Sequence, residues 1–556
     1  MNALMSDGRL PARRRWVGWV IGLIIVALVL AIGWVVIRGF SAASELQAVR
    51  GSLAQMQTAI DENDFGRAEQ TAPRIADHAA LARDLTSDPV WRGFELIPWL
   101  GGDFTALREV AEITDEIAVD AVAPLVGAMR EADLATLGLN GAHVDLAPLT
   151  ALQGPLDTSA ALLAAADLRA QRIEPDAVIP ALADAVTGAR DLIHEASAEV
   201  GGMHGASVLL PGMLGGNGPR TYLIAVQNNT ELRAGGGAVQ ALLVMHADSG
   251  SLSIERTATG REIPEIEDAT SAPGFAGAAE AIAQRWQQQY GGTIDGVIAV
   301  DVIALQHLIA ATGAVSFGEF TANADTLVSI LGSDIPSTID DVSARDALTV
   351  EASAALLSAA FVSDDPAAII GALSDAASDD RIRIWSVHTD EQARLAASAL
   401  GGTIPSDRPD QASVGVLLDD RTGGAMDYYA DAAISTAVGL CHGDPTTQVR
   451  VTWTNDAPSG DLPPAVTGET DLEAGDIRTL ITIYGPEGAT AREPGDTRTS
   501  LGTRDATQSD VTLSPGESTT ITATFTGSGA DRPFVRVEHT PMLSPVDISR
   551  ADVECW

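Results

Sequence analysis

The hydropathy pattern begins with an uncharged, strongly apolar run from Trp16 to Ile37. At about 1.5 Å of rise per residue, a helix of this length crosses the roughly 30 Å hydrocarbon layer of a membrane. Arginines are frequent within residues 1–15, whereas only Arg38 follows the run closely. The positive-inside rule therefore places residues 1–15 in the cytoplasm, residues 16–37 in the membrane and the remaining chain outside the cytoplasm.

A cleaved signal peptide is the alternative interpretation of this run, because Ser41-Ala42-Ala43 resembles a cleavage site. The apolar run is longer than the hydrophobic region of an ordinary signal peptide. We therefore expect an uncleaved, single-pass anchor in the cell membrane, with the body of the protein outside the cytoplasm.

Apolar residues then recur at helical spacing, and the first such stripe consists of Leu46, Val49, Leu53, Met56 and Ile60. A last helix is predicted from about Pro180 to Val200, where Gly201-Gly202 ends it. Frequent Pro and Gly residues favour short antiparallel helices over one long stalk. The pattern predicts an extracytoplasmic helical bundle over residues 44–202.

Beyond a turn-rich linker at residues 211–219, short apolar strands alternate with helical segments. Strands are predicted at Tyr222–Gln227, Val239–His246, Leu252–Arg256, Val297–Val300, Ile382–Val387 and Val414–Leu418. Helices are predicted at Pro273–Tyr290, Ala344–Phe361, Pro366–Ala377 and Glu391–Leu400. This mixture indicates a three-layer α/β domain over residues 219–425.

After about Asp431 the helical pattern gives way to short strands separated by turns such as Ser514-Pro515-Gly516-Glu517. This pattern predicts a C-terminal immunoglobulin-like β-sandwich over residues 431–556. The expected fold class is multidomain α+β: an N-terminal transmembrane helix, a helical bundle, an α/β domain and a β-sandwich.

The composition and the motifs that are absent exclude several classes of function. The net charge is -41, and an acidic body repels phosphate backbones, so we expect no nucleic-acid partner. The chain contains no lysine, which excludes a phosphate-binding P-loop and Schiff-base chemistry. The sequence also lacks the H-E-x-x-H zinc motif and the G-x-S-x-G hydrolase motif.

The only cysteines are Cys441 and Cys555. Outside the cytoplasm we expect them to form one disulfide. The loop that it closes makes it worth on the order of 4–5 kcal/mol in the chain-entropy model. Two buried free thiols are the alternative.

The most distinctive polar segment has the sequence NNTELRAGGG and runs from Asn228 to Gly237, directly after the first predicted α/β strand. In an extended chain, Asn229, Glu231 and Arg233 project from the same face. This face lies at the carboxyl end of the strand, where open α/β sheets place their ligands.

The residue types of this segment suit phosphate chemistry. Arg233 suits bidentate contact with a phosphate, and Glu231 suits a magnesium ion bound to that phosphate. Both are candidate catalytic residues, with Asn228 and Asn229 as candidate ligand-binding residues. The glycines Gly235, Gly236 and Gly237 allow close approach of the backbone to a ligand. The alternative is a Glu–Arg ion pair that braces a tight glycine turn.

Three more residues are candidates for the same site. Arg256 and Arg261 follow the third strand and could complete an anion site, and a charged surface loop is the alternative. Asp301 follows a short buried strand and is a candidate metal ligand. An N-cap for the next helix is the alternative role for Asp301.

The stretch RTYLIAVQNNTELRAGGG from Arg220 resembles a bacterial family defined as domain of unknown function 4012. The hallmark of that family is a strand that ends N-N-x-E-x-R-x-x-G-G, matched here from Asn228 to Gly237. Similar segments follow at Asp295-Gly296-Val297-Ile298, at Asp419-Asp420-Arg421-Thr422 and at Met426-Asp427-Tyr428-Tyr429. The resemblance implies a membrane-anchored extracytoplasmic protein and no defined activity.

A weaker likeness is to the LytR-CpsA-Psr domain, through the order of strands and the segment Ile294-Asp295 to Asp301. That family transfers glycopolymers from a polyprenyl pyrophosphate carrier, with Arg and Asp around magnesium. This resemblance implies a cell-envelope protein that binds or transfers a lipid-linked glycopolymer, with Glu231 on the metal and Arg233 on the pyrophosphate. The alternative is a non-enzymatic envelope scaffold or assembly protein. An apolar tunnel beside Arg233 would favour the transferase, and a buried ion pair of Arg233 would favour the scaffold.

Overall fold

The computed structural model describes residues 12–62, 64–98, 100–132, 142–173, 180–408, 411–460, 462–468, 471–492 and 497–555. The chain divides into two compact units. The first comprises Met1–Leu137 and Asp145–Pro211, and the second comprises Gly138–Val144 and Gly212–Trp556.

The first unit is helical. Its helices are α1 (Ala12–Asp61), α2 (Phe65–Thr86), α3 (Pro89–Phe94), α4 (Gly101–Ile117), α5 (Ala123–Glu131), α6 (Ala147–Ala170) and α7 (Pro180–Met213). One apolar cluster gathers side chains from α1, α2, α3, α4, α6 and α7 around the fully buried Trp91 and Leu107. Burial of these amphipathic faces holds the bundle together.

Helix α1 joins the predicted anchor to the bundle without interruption. Its described part is long and apolar enough to cross a membrane, with a mean hydropathy of 2.2 in its most apolar window, and a signal sequence meets the same criteria. Its apolar side chains, including Leu23, Val29 and Leu30, are exposed. Ala42 and Ala43 of the alternative cleavage site lie within this helix, and both residues are buried. Most of the predicted cytoplasmic tail lies outside the described residues.

Helix α7 differs from the sequence prediction. Gly201-Gly202 was expected to end it, yet the helix continues to Met213. An internal glycine costs only about 1 kcal/mol relative to alanine. Val200 and Met203 on either side of the glycines pack against a cluster that contains Leu152 and Leu156. Tertiary packing therefore stabilises the helix at Gly201-Gly202, where its intrinsic helix propensity is low.

The second unit begins with a mixed sheet. Its elements are β1 (Arg220–Arg233), β2 (Gly236–Asp248), β3 (Ser251–Thr259), α8 (Phe275–Tyr290), β4 (Gly296–Asp301), α9 (Val302–Thr312), β5 (Val315–Phe317), β6 (Phe320–Ala322), α10 (Leu327–Ser329), α11 (Ile335–Thr338), α12 (Val342–Phe361), α13 (Pro366–Ser378), β7 (Ile382–Ser386) and α14 (Thr389–Ala396). The strand order is β3-β2-β1-β4-β7, and β1 and β4 are parallel. Helix α8 packs Phe275 and Ile282 onto the apolar side chains of β1, β2 and β4.

Two five-stranded sheets follow. Their elements are β8 (Gln411–Asp420), β9 (Ala430–Cys441), β10 (Asp444–Asn455), α15 (Pro464–Thr467), β11 (Ile477–Tyr484), β12 (Thr490–Arg492), β13 (Thr497–Leu501), β14 (Arg504–Leu513), β15 (Ser518–Thr526), β16 (Phe534–His539) and β17 (Asp547–Arg550). The strand orders are β12-β15-β10-β9-β17 and β13-β14-β11-β8-β16. Alternate residues of both sheets share one core around Trp453 and Phe525.

Strand β8 lies within the range 219–425 that the sequence assigned to the α/β domain. It pairs with β11 and β16 and places Val414, Val416 and Leu418 in the core of the C-terminal sheets. The prediction of an α/β domain that extends to residue 425 therefore does not hold for this strand. An isolated apolar strand gives no signal of which sheet it will join.

Cys441 at the end of β9 is joined by a disulfide to Cys555, 114 residues later in the chain. Cys441 is fully buried, and β17 pairs with β9 in parallel just before Cys555. The bond therefore fastens an exposed edge strand to the sheet that it borders.

Candidate functional site

Strand β1 continues through the Asn228–Arg233 segment, beyond the predicted strand end at Gln227. A bulge interrupts its pairing with β2 between Asn228 and Leu232. The side-chain oxygen of Asn228 accepts hydrogen bonds from the backbone N–H of Thr230 at 3.1 Å and from its hydroxyl at 2.9 Å. Because a bulge disturbs the alternation of side chains, the expectation of a common face does not hold for Asn229.

Asn229 is fully buried, with 0% of its surface exposed. Its side-chain amide donates to Asp301 Oδ2 at 3.2 Å and to the backbone oxygen of Pro541 at 3.0 Å. Pro541 follows β16, so this one side chain links the α/β sheet to the C-terminal sheets. The Asn229 amide nitrogen thus acts as a junction group, whereas its side-chain oxygen Oδ1 is buried and has no hydrogen-bond partner among the described residues.

Asp301 is the N-cap of α9, because its Oδ1 accepts from the backbone N–H of Ala304 at 2.8 Å. Its other oxygen accepts from Arg381 at 2.9 Å, and the same Arg381 nitrogen donates to the backbone oxygen of Met542 at 2.7 Å. Asp301 therefore has the N-cap role that the sequence indicated as the alternative to metal binding. Arg381 was not predicted as a site residue. Like Asn229, it links Asp301 to the segment that follows β16.

Leu232 and Asp427 form a second link. The Leu232 side chain enters the core of the two C-terminal sheets, and its N–H donates to Asp427 Oδ2 at 2.8 Å. Asp427 is buried, and this burial, together with the nearby Asp420, raises its pKa well above the usual range. Asp420 in turn has its pKa raised by burial.

Arg233 is held in ion pairs. Its side chain is 11% exposed, and the guanidinium lies 2.9 Å from Asp268 and 3.9 Å from Asp420. It also donates to the backbone oxygen of Leu232 at 3.0 Å. Burial opposes the charge of Arg233, but Glu231, Asp268 and Asp420 outweigh it and raise the pKa of Arg233. Arg233 therefore forms the buried ion pair that would favour a scaffold over a transferase.

Glu231 is the least satisfied member of the segment. Desolvation raises its pKa to about 7, against the opposing effect of Arg233. No hydrogen bond to its carboxyl is found within the described part of the chain. Among the described residues there is also no group of three or more His, Cys, Asp or Glu side chains arranged to hold a metal ion. Its role as a magnesium ligand stays a prediction.

The three glycines serve the β1–β2 turn. Gly236 has φ of 132°, and a Cβ there would lie 2.4 Å from Gln227 Oε1. A Cβ on Gly237 would lie 2.2 Å from the backbone oxygen of Asn228. The N–H of Gly235 donates to the backbone oxygen of Thr270 at 2.8 Å. Close internal packing therefore accounts for the glycines.

Arg256 and Arg261, the two later arginines, contact different groups. Arg261 joins the network around Glu231 and lies 3.0 Å from Asp346 and 3.5 Å from Glu267. Arg256 instead lies over the ring of Tyr290, 5.0 Å from its centroid. The prediction that Arg256 completes an anion site with Arg233 is not supported by these contacts, because each arginine has other partners.

Residues 217–271 and 262–335 match the model of a family described as "Protein of unknown function (DUF4012)". The predicted family is confirmed for this part of the chain, which contains β1 and the whole Asn228–Gly237 segment. No curated protein matches the chain.

Among solved structures, the chain is similar to the X-ray structure of the Lin1025 protein from Listeria innocua. The identity is 11%, the match covers 36% of this chain and 85% of that one, and the TM-score is 0.20. A likeness this distant carries no argument about function. The resemblance to LytR-CpsA-Psr domains stays a prediction.

Proposed function

We propose that this chain, which carries a DUF4012 match, is a membrane-anchored, non-enzymatic scaffold or assembly protein of the cell envelope. The observation that carries the proposal is the use of the Asn228–Arg233 segment inside the fold. Its amide, backbone and guanidinium groups contact Pro541, Asp427 and Asp268. Buried donors that find acceptors within the protein, here the Asn229 amide nitrogen, the Leu232 N–H and the Arg233 guanidinium, favour a unique and rigid arrangement.

A third junction contact supports the same proposal. The buried Thr540 hydroxyl donates to the backbone oxygen of Ala234 at 3.1 Å and accepts from the N–H of Leu418 at 2.9 Å. The end of β1 is therefore bonded to β8 and to the segment after β16. A body braced in this way suits a protein that holds partners at fixed positions outside the membrane.

The proposed topology has the N-terminus in the cytoplasm and the body outside. Protease added to intact cells should remove a tag placed after the last residue, while a tag placed before Met1 stays protected. Permeabilised cells should lose both tags, which is the control. A C-terminal tag that survives in intact cells would contradict the topology, and an N-terminal tag that separates from the body without protease would indicate a cleaved signal peptide.

Transfer of a polyprenyl-pyrophosphate-linked glycopolymer is the second candidate. The half-buried Glu231, with its pKa of about 7, favours it, because a carboxyl that titrates near neutral pH suits proton transfer or metal binding. The paired state of Arg233 favours the scaffold, because a guanidinium committed to Asp268 and Asp420 has fewer donors for a pyrophosphate.

Binding of polyprenyl pyrophosphate distinguishes the two candidates. With the full chain in detergent, we expect the wild type and Arg233→Ala to give the same weak background signal. Arg285→Ala, which removes an arginine paired with Glu265, is the matched control. Saturable binding that is lost in Arg233→Ala and in Glu231→Gln, but kept in Arg285→Ala, would replace the scaffold with the transferase. Thermal melting of each variant guards against loss of fold.

The immunoglobulin-like type of the C-terminal sheets is part of the same proposal. Two sheets with one shared core support it. The parallel pairing of β16 with β8 and of β17 with β9 departs from an all-antiparallel sandwich.

A further inference from the structure

A cleft of about 510 Å³ lies beside the Ala234-Gly235 turn. Its walls come from Asp380 and β7, from residues 396–408, and from β8 and β16, all in the second unit. Clefts that bind small molecules typically have volumes of about 300–1,000 Å³. The cleft is therefore large enough for a ligand of one or two sugar rings.

Three arginines line this cleft: Arg383, Arg408 and Arg536. Two carboxylates, Asp380 and Glu538, also line it. The local balance of charge is thus positive, in a chain whose net charge is -41. A positive cleft in an acidic protein concentrates anions that the remaining surface repels.

Arg383 is the best placed of the three. One of its terminal nitrogens donates to the backbone oxygen of Gly235 at 2.8 Å, and it forms no ion pair with a carboxylate in the described chain. Desolvation lowers its pKa, against the opposing effect of Asp380, Asp301 and Glu538. An oxyanion bound here would compensate the buried charge.

The backbone makes room for the Arg383 side chain. Gly402 has φ of 53°, and a Cβ there would lie 2.8 Å from Arg383 Cδ and 2.7 Å from Phe275 Cβ. Pairing of β7 with β4 sets Arg383 opposite Ala299. The guanidinium is therefore held by the sheet and by a glycine that leaves space for its aliphatic stem.

Arg408 differs from Arg383 because it is exposed. Its backbone N–H donates to the backbone oxygen of Gln411 at 2.8 Å, and its guanidinium has no carboxylate partner among the described residues. Arg536 is partly neutralised, since its Nε lies 2.6 Å from Glu538 Oε1. Arg383 and Arg408 are thus the guanidinium groups free to bind a ligand.

Uncharged polar groups complete the lining. Ser406, Gln411 and His539 all face the cleft and can donate or accept hydrogen bonds to hydroxyl groups. The combination of guanidinium groups with hydroxyl, amide and imidazole groups suits a ligand that has one negative charge and several hydroxyls.

We propose that this cleft binds an acidic saccharide, whose phosphate or carboxylate group is held by Arg383 and Arg408 and whose hydroxyls contact Ser406 and Gln411. The site is separate from the junction formed by Asn229 and goes beyond the scaffold function. A scaffold with this site would recognise an acidic sugar, and the site requires neither Glu231 nor a metal.

Calorimetric titration of the full chain in detergent tests the proposal, with glucose 6-phosphate, glucuronate and uncharged glucose as probes. We expect at least one acidic probe to bind, and glucose to bind at least tenfold more weakly. Whichever acidic probe binds more tightly identifies the anionic group. Arg408→Ala and Arg383→Lys should each weaken the binding at least tenfold, whereas Arg285→Ala should leave it unchanged.

Arg408 is exposed, so its removal should leave the fold intact even if Arg383→Lys is destabilised. Gly402→Ala should weaken binding without removing a charge, because the added Cβ displaces the Arg383 stem. The proposal is overturned if neither acidic probe binds, if glucose binds as tightly as the acidic probes, or if Arg408→Ala binds like the wild type.

Discussion

Replacing Asn229 by aspartate should lower the free energy of unfolding of the second unit by about 3–5 kcal/mol. The wild-type amide donates to Asp301 and to the backbone oxygen of Pro541. An aspartate would present acceptor oxygens to both acceptors and would bury a second negative charge against Asp301. Because the position is fully buried, water can neither replace the lost hydrogen bonds nor solvate the new charge.

Hydrogen exchange of the β1 amides under denaturant measures this effect within the second unit. Asn323→Asp is the matched control, because exposed Asn323 uses its side-chain oxygen to accept from the N–H groups of Asp325 and Thr326. An aspartate supplies the same oxygen, so we expect a change within about 0.5 kcal/mol. Equal protection of β1 in Asn229→Asp and the wild type would contradict the junction role of Asn229.

Raising the pH from 4.5 to 8 should destabilise the second unit, and Glu231→Gln should remove about 3 kcal/mol of that loss. Burial raises the pKa of Glu231 from 4.5 to about 7, although Arg233 opposes the shift. Below pH 4.5 the carboxyl is protonated in both states, and the full stability is present. As the pH rises, the unfolded chain releases the proton first, so stability falls until the folded carboxyl ionises near pH 7.

Denaturant unfolding at several pH values, compared between the wild type and Glu231→Gln, isolates this contribution. The variant should keep part of the pH dependence, because burial also raises the pKa of Asp420 and Asp427. Glu319→Gln, which replaces an exposed carboxyl, is the control and should follow the wild-type curve. Parallel curves for the wild type and Glu231→Gln would contradict a buried, proton-binding Glu231.

Most elements of the fold could be predicted from the sequence, because apolar spacing directly reflects burial. The apolar stripe from Leu46 to Ile60 lies on a helix, and the predicted strand Ile382–Val387 matches β7 to within one residue. Strands with weak apolar signals were missed. Strand β9 is rich in alanine, which favours helices, and β17 is fully exposed.

The candidate site was harder to predict, because its partners lie far away in sequence. Asp427 is 195 residues from Leu232, and Pro541 is 312 residues from Asn229. A single sequence identifies the polar residue types of the segment, and it does not say which side chains or carbonyls will meet them. Asp427 lies in the segment Met426-Asp427-Tyr428-Tyr429 that carries the family resemblance, which was the available signal for its role.

The cleft has no local sequence motif. Arg383 lies on β7 and Arg408 lies shortly before β8, and α14 separates them along the chain. Each resembles an ordinary surface arginine when seen alone. Only the fold brings them to one cavity with the turn at Gly235, so a search for spaced motifs could not find this site.

The unbroken course of α1 has a mechanical consequence. With 50 residues, the helix is about 75 Å long, so more than half of it extends past a roughly 30 Å hydrocarbon layer. If the apolar part spans the bilayer, a tilt of about 20° would displace the far end of the remaining helix sideways by roughly 15 Å. The helix would act as a lever arm, and thinning or thickening of the bilayer would change how far Asp61 reaches along the membrane plane.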